Sequence, residues 1–235
     1  MLGTSLFGIW KEEALDEQRI ETFLDLYRQP VPAHIQKLEG QAKRDGVPVI
    51  RRGTRDVLRY LLKTRRPRHV LEIGTAIGYS SLFMKTCLPR TSRITTVEKV
   101  KMRIHEAKKN LAEYDPEGQI RLLEGEAADV LQTLAANGER FDFVFMDAAK
   151  GQYLNFFPHV MPLMNPGAVL VSDNIFHDGD VLQSRFAVTR RDRTIHERMR
   201  EYLCVLTGHE QLETICLPVS DGMAVSAYCP EEGDS

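Results

Sequence analysis

Glu72-Ile73-Gly74-Thr75-Ala76-Ile77-Gly78-Tyr79-Ser80 is the stretch that decides the fold. It closes a β-rich run, His69 to Gly74, and opens a helical one, Ser80 to Leu88. A strand that turns on glycine and passes straight into a helix begins a βαβ unit, and ligands of such units bind at the carboxyl ends of the strands. Gly74 allows a tight turn and close backbone approach, and Gly78 is expected to keep side chains out of the cleft. The dinucleotide fingerprint G-x-G-x-x-G sets its glycines around a pyrophosphate at a helix N-terminus. The order here differs, and an acid, Glu72, stands inside the loop. Glu72 would repel a pyrophosphate but suit a cationic amino-acid or sulfonium ligand, which favours S-adenosylmethionine over NAD.

Outward from this loop the chain alternates short apolar runs with helical periodicity. Downstream, strands are predicted at Arg93 to Glu98, Ile120 to Leu123, Phe141 to Met146 and Ala168 to Ser172. Helices are predicted at Met102 to Glu113, Ala128 to Ala136, Leu154 to Leu163 and Arg191 to Leu206. Two last strands, Leu212 to Leu217 and Gly222 to Ala227, flank a turn at Ser220-Asp221-Gly222 and suggest an antiparallel edge hairpin. Upstream, three helices are expected: Lys11 to Arg28, Ala33 to Asp45 and Thr54 to Lys63, separated by the breakers Pro30, Pro32, Gly46 and Pro48. The pattern is α/β, a mostly parallel sheet with helices on both faces. Residues 1–66 read as an N-terminal helical segment packing on a core of residues 67–235, together one domain.

Acids recur where strands end. Glu98 ends the second strand, where a carboxylate can accept both ribose hydroxyls of a nucleoside. Gly125-Glu126-Ala127 follows the third, where an adenine ring could lie. The fourth ends Asp147-Ala148-Ala149-Lys150 and the fifth Asp173-Asn174. Adjacent strand ends lie about 5 Å apart, so Asp147, Asp173 and Asn174 can converge. Two carboxylates and an amide oxygen make a hard oxygen site suited to magnesium. Lys150 should face the same cleft, and a cation beside it would depress its pKa, fitting it as a general base.

Composition bounds the partners. The 235 residues carry a net charge of −2, so the whole chain is not a polycation. Four scattered cysteines make no Cys-x-x-Cys pair, which argues against a zinc or disulfide framework. The mildly apolar residues 1–10 lack a basic n-region, and no run approaches a membrane span, so a cytoplasmic location without membrane attachment is expected.

These motifs together resemble the metal-dependent catechol and caffeoyl-CoA O-methyltransferase family: Glu72-x-Gly74-x-x-x-Gly78-Tyr79-Ser80, Glu98, Asp147-x-x-Lys150, Asp173-Asn174 and Asp221-Gly222, within about Pro48 to Tyr228. The resemblance implies a Rossmann-like class I methyltransferase with a seven-stranded sheet whose last strand is antiparallel. It implies donor contacts from Glu72, Gly74, Gly78, Ser80, Glu98, Gly125, Glu126, Ala127 and Asp147, and from Ile50 in the loop before the sheet. It makes Asp147, Asp173 and Asn174 the ligands of magnesium or another divalent ion, makes Lys150 the base, and suggests a homodimer. One departure stands out. The mammalian catechol enzyme carries a catechol-binding glutamate before Asp-Gly, and here Ile215-Cys216-Leu217-Pro218 holds no acid.

The run Arg190 to Tyr202, followed by Leu217 to Gly222, resembles the bacterial branch that methylates 5-hydroxyuridine at the tRNA wobble position. Two basic groups agree with a tRNA anticodon loop as partner. Between Arg51 and Arg68 seven arginines and Lys63 meet one acid, Asp56, and Arg190, Arg191 and Arg193 stand beside the expected substrate loop. In 5-hydroxyuridine the O5 hydroxyl neighbours the C4 carbonyl, so the pair can chelate a metal as a catechol does. A small phenolic acceptor is the alternative.

Overall fold

The structure, a computed structural model, describes residues 17–230. Contacts divide the chain at Val31/Pro32 into two compact units. The first contains helix α1 (Glu17–Asp25); the part of the expected first helix before Glu17 lies outside the described residues. The second holds everything else, so α2 (Ala33–Asp45) and α3 (Arg52–Arg65) belong to the same unit as the sheet. No helix among the described residues is long and apolar enough to cross a membrane.

Seven strands form one sheet: β1 (His69–Ile73), β2 (Arg93–Glu98), β3 (Ile120–Glu124), β4 (Phe141–Met146), β5 (Met164–Asp173), β6 (Leu212–Leu217) and β7 (Met223–Tyr228). Their order is β3-β2-β1-β4-β5-β7-β6. The first five are parallel, and β7 runs antiparallel between β5 and β6. The expected hairpin is therefore present, with β7 inside the sheet and β6 at its edge. The sheet is mostly parallel with an antiparallel pair at one side, as the motifs implied. It reverses order at β1 and β4, which opens a crevice above their carboxyl ends.

Helices α4 (Tyr79–Cys87), α5 (Lys101–Tyr114), α6 (Ala127–Ala136), α7 (Tyr153–Val160) and α8 (Arg193–Gly208) link the strands. One core layer packs Leu71, Ile73, Val144, Met146 and Leu170 of the strands against Leu131, Phe157, Val160, Met199, Tyr202 and Leu206 of α6, α7 and α8. The central strands are buried on nearly every residue, as β4 shows from Phe143 to Met146, which a sheet covered on both faces requires. Strand β5 begins four residues earlier than its apolar run. The extra stretch around Pro166 is absorbed by a register shift between the Phe141–Met164 and Phe143–Val169 pairs, since proline cannot donate to a ladder.

Candidate active site

Strand ends bring the expected residues together. A cavity of about 510 Å³ opens above β1, β2 and β4 and is lined by Ile50, Gly74, Ser80, Glu98, Gly125, Glu126, Ala127, Asp147, Lys150 and Asn174, among others. Gly74 has φ +105°, and a Cβ there would collide with the carbonyl oxygen of Asp147. The loop after β1 thus rests directly on the end of β4, closer than any side chain permits.

Gly78 serves a different end from the one expected. It lies outside the cavity lining and faces Ala107 and Leu111 of α5. What selects glycine there is a left-handed φ of +84° at the N-cap of α4. Glu72 is also displaced from its expected contact: it is fully buried beneath the cavity and is not among its lining residues. Its Oε2 accepts from Thr96 Oγ1 at 2.5 Å and from Ser81 Oγ, while Oε1 has no partner. Burial pushes its pKa up to about 7 against the pull of the hydroxyls of Ser80, Ser81 and Thr96. Glu72 therefore anchors the floor on which Ser80 and the loop sit. The alternation of a strand explains this, since Ile73 lines the cavity and its neighbour points away from it.

Glu98 fastens the neighbouring rim. Its Oε2 accepts from the backbone of Ala76 at 2.9 Å, and Oε1 accepts from Lys99 and Val100 at 2.9 Å each. One carboxylate thus ties the loop after β1 to the end of β2 and still borders the cavity.

At the other side of the crevice, oxygens from β4 and β5 meet around one cation, the ammonium of Lys150. Its Nζ donates to Asp147 Oδ1 and Asn174 Oδ1, both at 2.9 Å, and lies 3.4 Å from the carbonyl of Asp173. Asn174 takes a left-handed backbone (φ +53°), which asparagine tolerates better than most residues. Asp173 is fully buried. Its Oδ1 accepts from Thr54 Oγ1 at 3.0 Å, and its Oδ2 has no partner. Burial first, and the nearby Asp147 second, raise its pKa to about 6. The side chains around Lys150 set its charge in the ligand-free protein. Burial lowers its pKa, but Tyr153 and Asp147 outweigh that and hold the amine protonated.

Two supporting residues were missed in the sequence. Tyr153 is fully buried, its hydroxyl 3.0 Å from Met146 O, 3.1 Å from Asp173 O and 3.0 Å from Lys150 Nζ. It follows Asp147 and Lys150 at a spacing of three, and that repeat was the available signal. Thr54 stands 119 positions from Asp173, and no local pattern announces it.

The basic residues divide between the cavity rim, pairs inside the fold and the exposed surface. Arg51 borders the cavity and pairs with Asp178 at 3.0 Å. Arg55 is buried, bonded to Tyr79 Oη at 2.7 Å and Glu39 at 2.8 Å, and Arg59 lies over the ring of Phe83. Fourteen helical residues span about 21 Å, so α3 carries its other basic end, Lys63 and Arg65, away from the cavity. The run from Arg51 to Arg68 is therefore not one patch. Arg190, Arg191 and Arg193 also stand outside the cavity lining. Arg190 and Arg191 are exposed, and Arg193 donates to the carbonyl of Val188.

Comparison with known proteins agrees with this architecture. The family model described as O-methyltransferase matches residues 37–228. A catechol O-methyltransferase from Niastella koreensis is 34% identical over 126 residues, covering 53% of this chain and 57% of that one, so the match spans little more than half of that relative. The tapetum-specific methyltransferase 1 of Arabidopsis thaliana is 28% identical over 93% of this chain and 94% of its own. Among solved structures, the O-methyltransferase TomG of Streptomyces achromogenes, involved in tomaymycin synthesis and bound to S-adenosylmethionine, is 25% identical with a TM-score of 0.76, covering 90% of this chain and 96% of that one. On the family match over most of its length, together with the sheet order and the cavity at its switch point, the chain belongs to the O-methyltransferase family.

Proposed function

We propose that this enzyme transfers the methyl group of S-adenosylmethionine to a hydroxyl that has a second oxygen beside it, with a divalent ion, magnesium first, held by Asp147, Asp173 and Asn174. The observation that carries the reading is the meeting of oxygens from β4 and β5 on one positive charge at the cavity wall. Beside them the buried Oδ2 of Asp173 has no hydrogen-bond partner, and a hard cation would satisfy it. When bound, such an ion lowers the pKa of an acceptor hydroxyl and fixes its position.

The chain's own residues supply the rest. Glu98 and the loop Gly125-Glu126-Ala127 receive the nucleoside of the donor, and Ser80 the amino-acid end, over the floor held by Glu72. Lys150 receives the acceptor's proton. The methyl group passes from sulfur to oxygen as the sulfur takes back the bonding pair, leaving S-adenosylhomocysteine. Lys150 is now bonded to Asp147 and Asn174, so it sheds its charge before it can act as a base.

Among acceptors with vicinal oxygens we place first the wobble 5-hydroxyuridine of tRNA. It is supported by the resemblance of Arg190 to Tyr202 and by the absence of an acid at Ile215 to Pro218. A small catechol is the second reading, favoured by the name of the Niastella koreensis relative. The test incubates enzyme and donor with tRNA carrying 5-hydroxyuridine or with a catechol, each with magnesium or with chelator. Magnesium-dependent 5-methoxyuridine is expected. Methylation of the catechol alone would leave the second reading standing, and full turnover in chelator would remove the metal from the mechanism.

A further inference from the structure

The amino ends of the parallel strands, opposite the methyl-transfer cavity, carry a second cavity of about 710 Å³. It is lined by His69 at the start of β1, Arg93 at the start of β2, Arg121 in β3 and Arg140 just before β4. The register explains the convergence. His69 pairs with Arg93, and Thr95 pairs with Arg121, so period-two alternation sets Arg93 and Arg121 on one face. Arg121 also donates to Thr95 Oγ1 at 3.2 Å, and the carbonyl of Arg68 accepts from the backbone of Arg93 at 2.7 Å. Arg66, Arg68 and Arg90 stand on the loops that enter β1 and β2, and all six arginines are exposed.

Few acids offset them. Glu139 pairs with Arg121 at 2.5 Å. Asp142 accepts from the backbone of Arg68 and His69 and from the Asn165 amide. Arg93 and Arg140 donate only to backbone carbonyls among the bonds described, which leaves their charge uncompensated. Glu117, which pairs with Lys85, also lies within the field of Arg90, so six arginines against three carboxylates leave a local excess of three positive charges (6 − 3) in a chain whose net charge is −2. The sequence hides this excess, because the arginines come from four separate segments that only the sheet brings together.

We propose that this face binds the phosphodiester backbone of a nucleic acid, independently of the methyl acceptor. The cations here are arginine rather than lysine, and the planar fork of arginine fits phosphate oxygens in pairs. Among the described residues, no exposed large hydrophobic side chain lines this cavity, whereas a protein partner would call for an apolar centre. Backbone phosphates need only spaced charge and a groove.

The experiment measures anisotropy of fluorescein-labelled twelve-nucleotide uridine RNA and thymidine DNA against the full chain across a salt series, without donor or metal. It compares the wild type, Arg90→Ala/Arg93→Ala/Arg140→Ala, and Arg190→Ala/Arg191→Ala. Melting curves of all three confirm folding. The wild type should bind, and the first variant should bind at least tenfold more weakly. Its salt slope should be smaller by about 2, from about 0.7 for each of three lost phosphate contacts to a single strand. The RNA and DNA arms tell which backbone is preferred. Equal affinity and slope in wild type and first variant would overturn the proposal, as would equal affinity of the wild type for a polyglutamate peptide. Turnover is not read, so failure of the 5-hydroxyuridine reading would leave this result untouched.

Discussion

Lys150 and Asn174 stand 24 positions apart in the chain, yet the ammonium of the first donates to the amide oxygen of the second at 2.9 Å. The bond joins the segment after β4 to the end of β5 through one positive charge at the cavity wall, and on the proposed function that amine takes the acceptor's proton. Lys150→Ala should lower kcat by about 10²-fold or more, with the donor Kd unchanged by calorimetry. Lys150→Arg should not restore turnover, because a guanidinium keeps its proton. Turnover retained in the arginine variant would show that Lys150 acts only by its charge.

Thr54 holds one oxygen of a carboxylate that has no other side-chain donor. Thr54→Val keeps the shape and removes the hydroxyl. It should cost about 1–3 kcal/mol of stability and weaken binding of a divalent ion in titration calorimetry. Thr54→Ser should restore both. Unchanged ion affinity in the valine variant would separate Thr54 from the site.

Gly74 and Gly167 have similar left-handed backbones, φ +105° and +79°, in different surroundings. A Cβ at Gly74 meets the carbonyl of Asp147, whereas at Gly167 nothing lies within 4 Å. Gly167→Ala should cost only the backbone strain, about 1 kcal/mol, with donor binding intact. Gly74→Ala should cost about 3 kcal/mol or more and abolish donor binding, as read by thermal melts and calorimetry. Equal effects would mean that backbone strain alone decides both positions.

Glu72 gives the ligand-free protein a pH dependence of definite sign. Burial raises its pKa from the ordinary 4.5 to about 7 in the fold. Between those values the folded protein keeps a proton that the unfolded chain has released, so stability falls as pH rises through the window. Tm should drop between pH 5 and pH 8, by up to about 3 kcal/mol of unfolding free energy if the whole shift is expressed. Glu72→Gln should flatten that dependence. A wild-type Tm that rises over the same range would show that Glu72 is ionised in the fold throughout.

The sheet, the loop that crosses its switch point and the oxygens that gather there are all legible in the order of the residues. Those features are local. Alternation of apolar residues marks each strand, the glycine turn after β1 marks the donor loop, and a parallel sheet places successive strand ends side by side. Asp147, Lys150, Asp173 and Asn174 could be named for that reason. Tertiary structure alone decided what each group faces. It turned Glu72 into the floor and Gly78 toward α5, because strand alternation and a left-handed backbone outweigh a motif's outline. It brought Thr54 and Tyr153 to Asp173 across 119 and 20 positions. It also spread the charge run from Arg51 to Arg68 along α3, and gathered Arg68, Arg93, Arg121 and Arg140 into a basic face that no single stretch of sequence contains. A linear pattern records neighbours one turn or one pleat away; electrostatic environment depends on distance through space, which only the packed sheet and helices set.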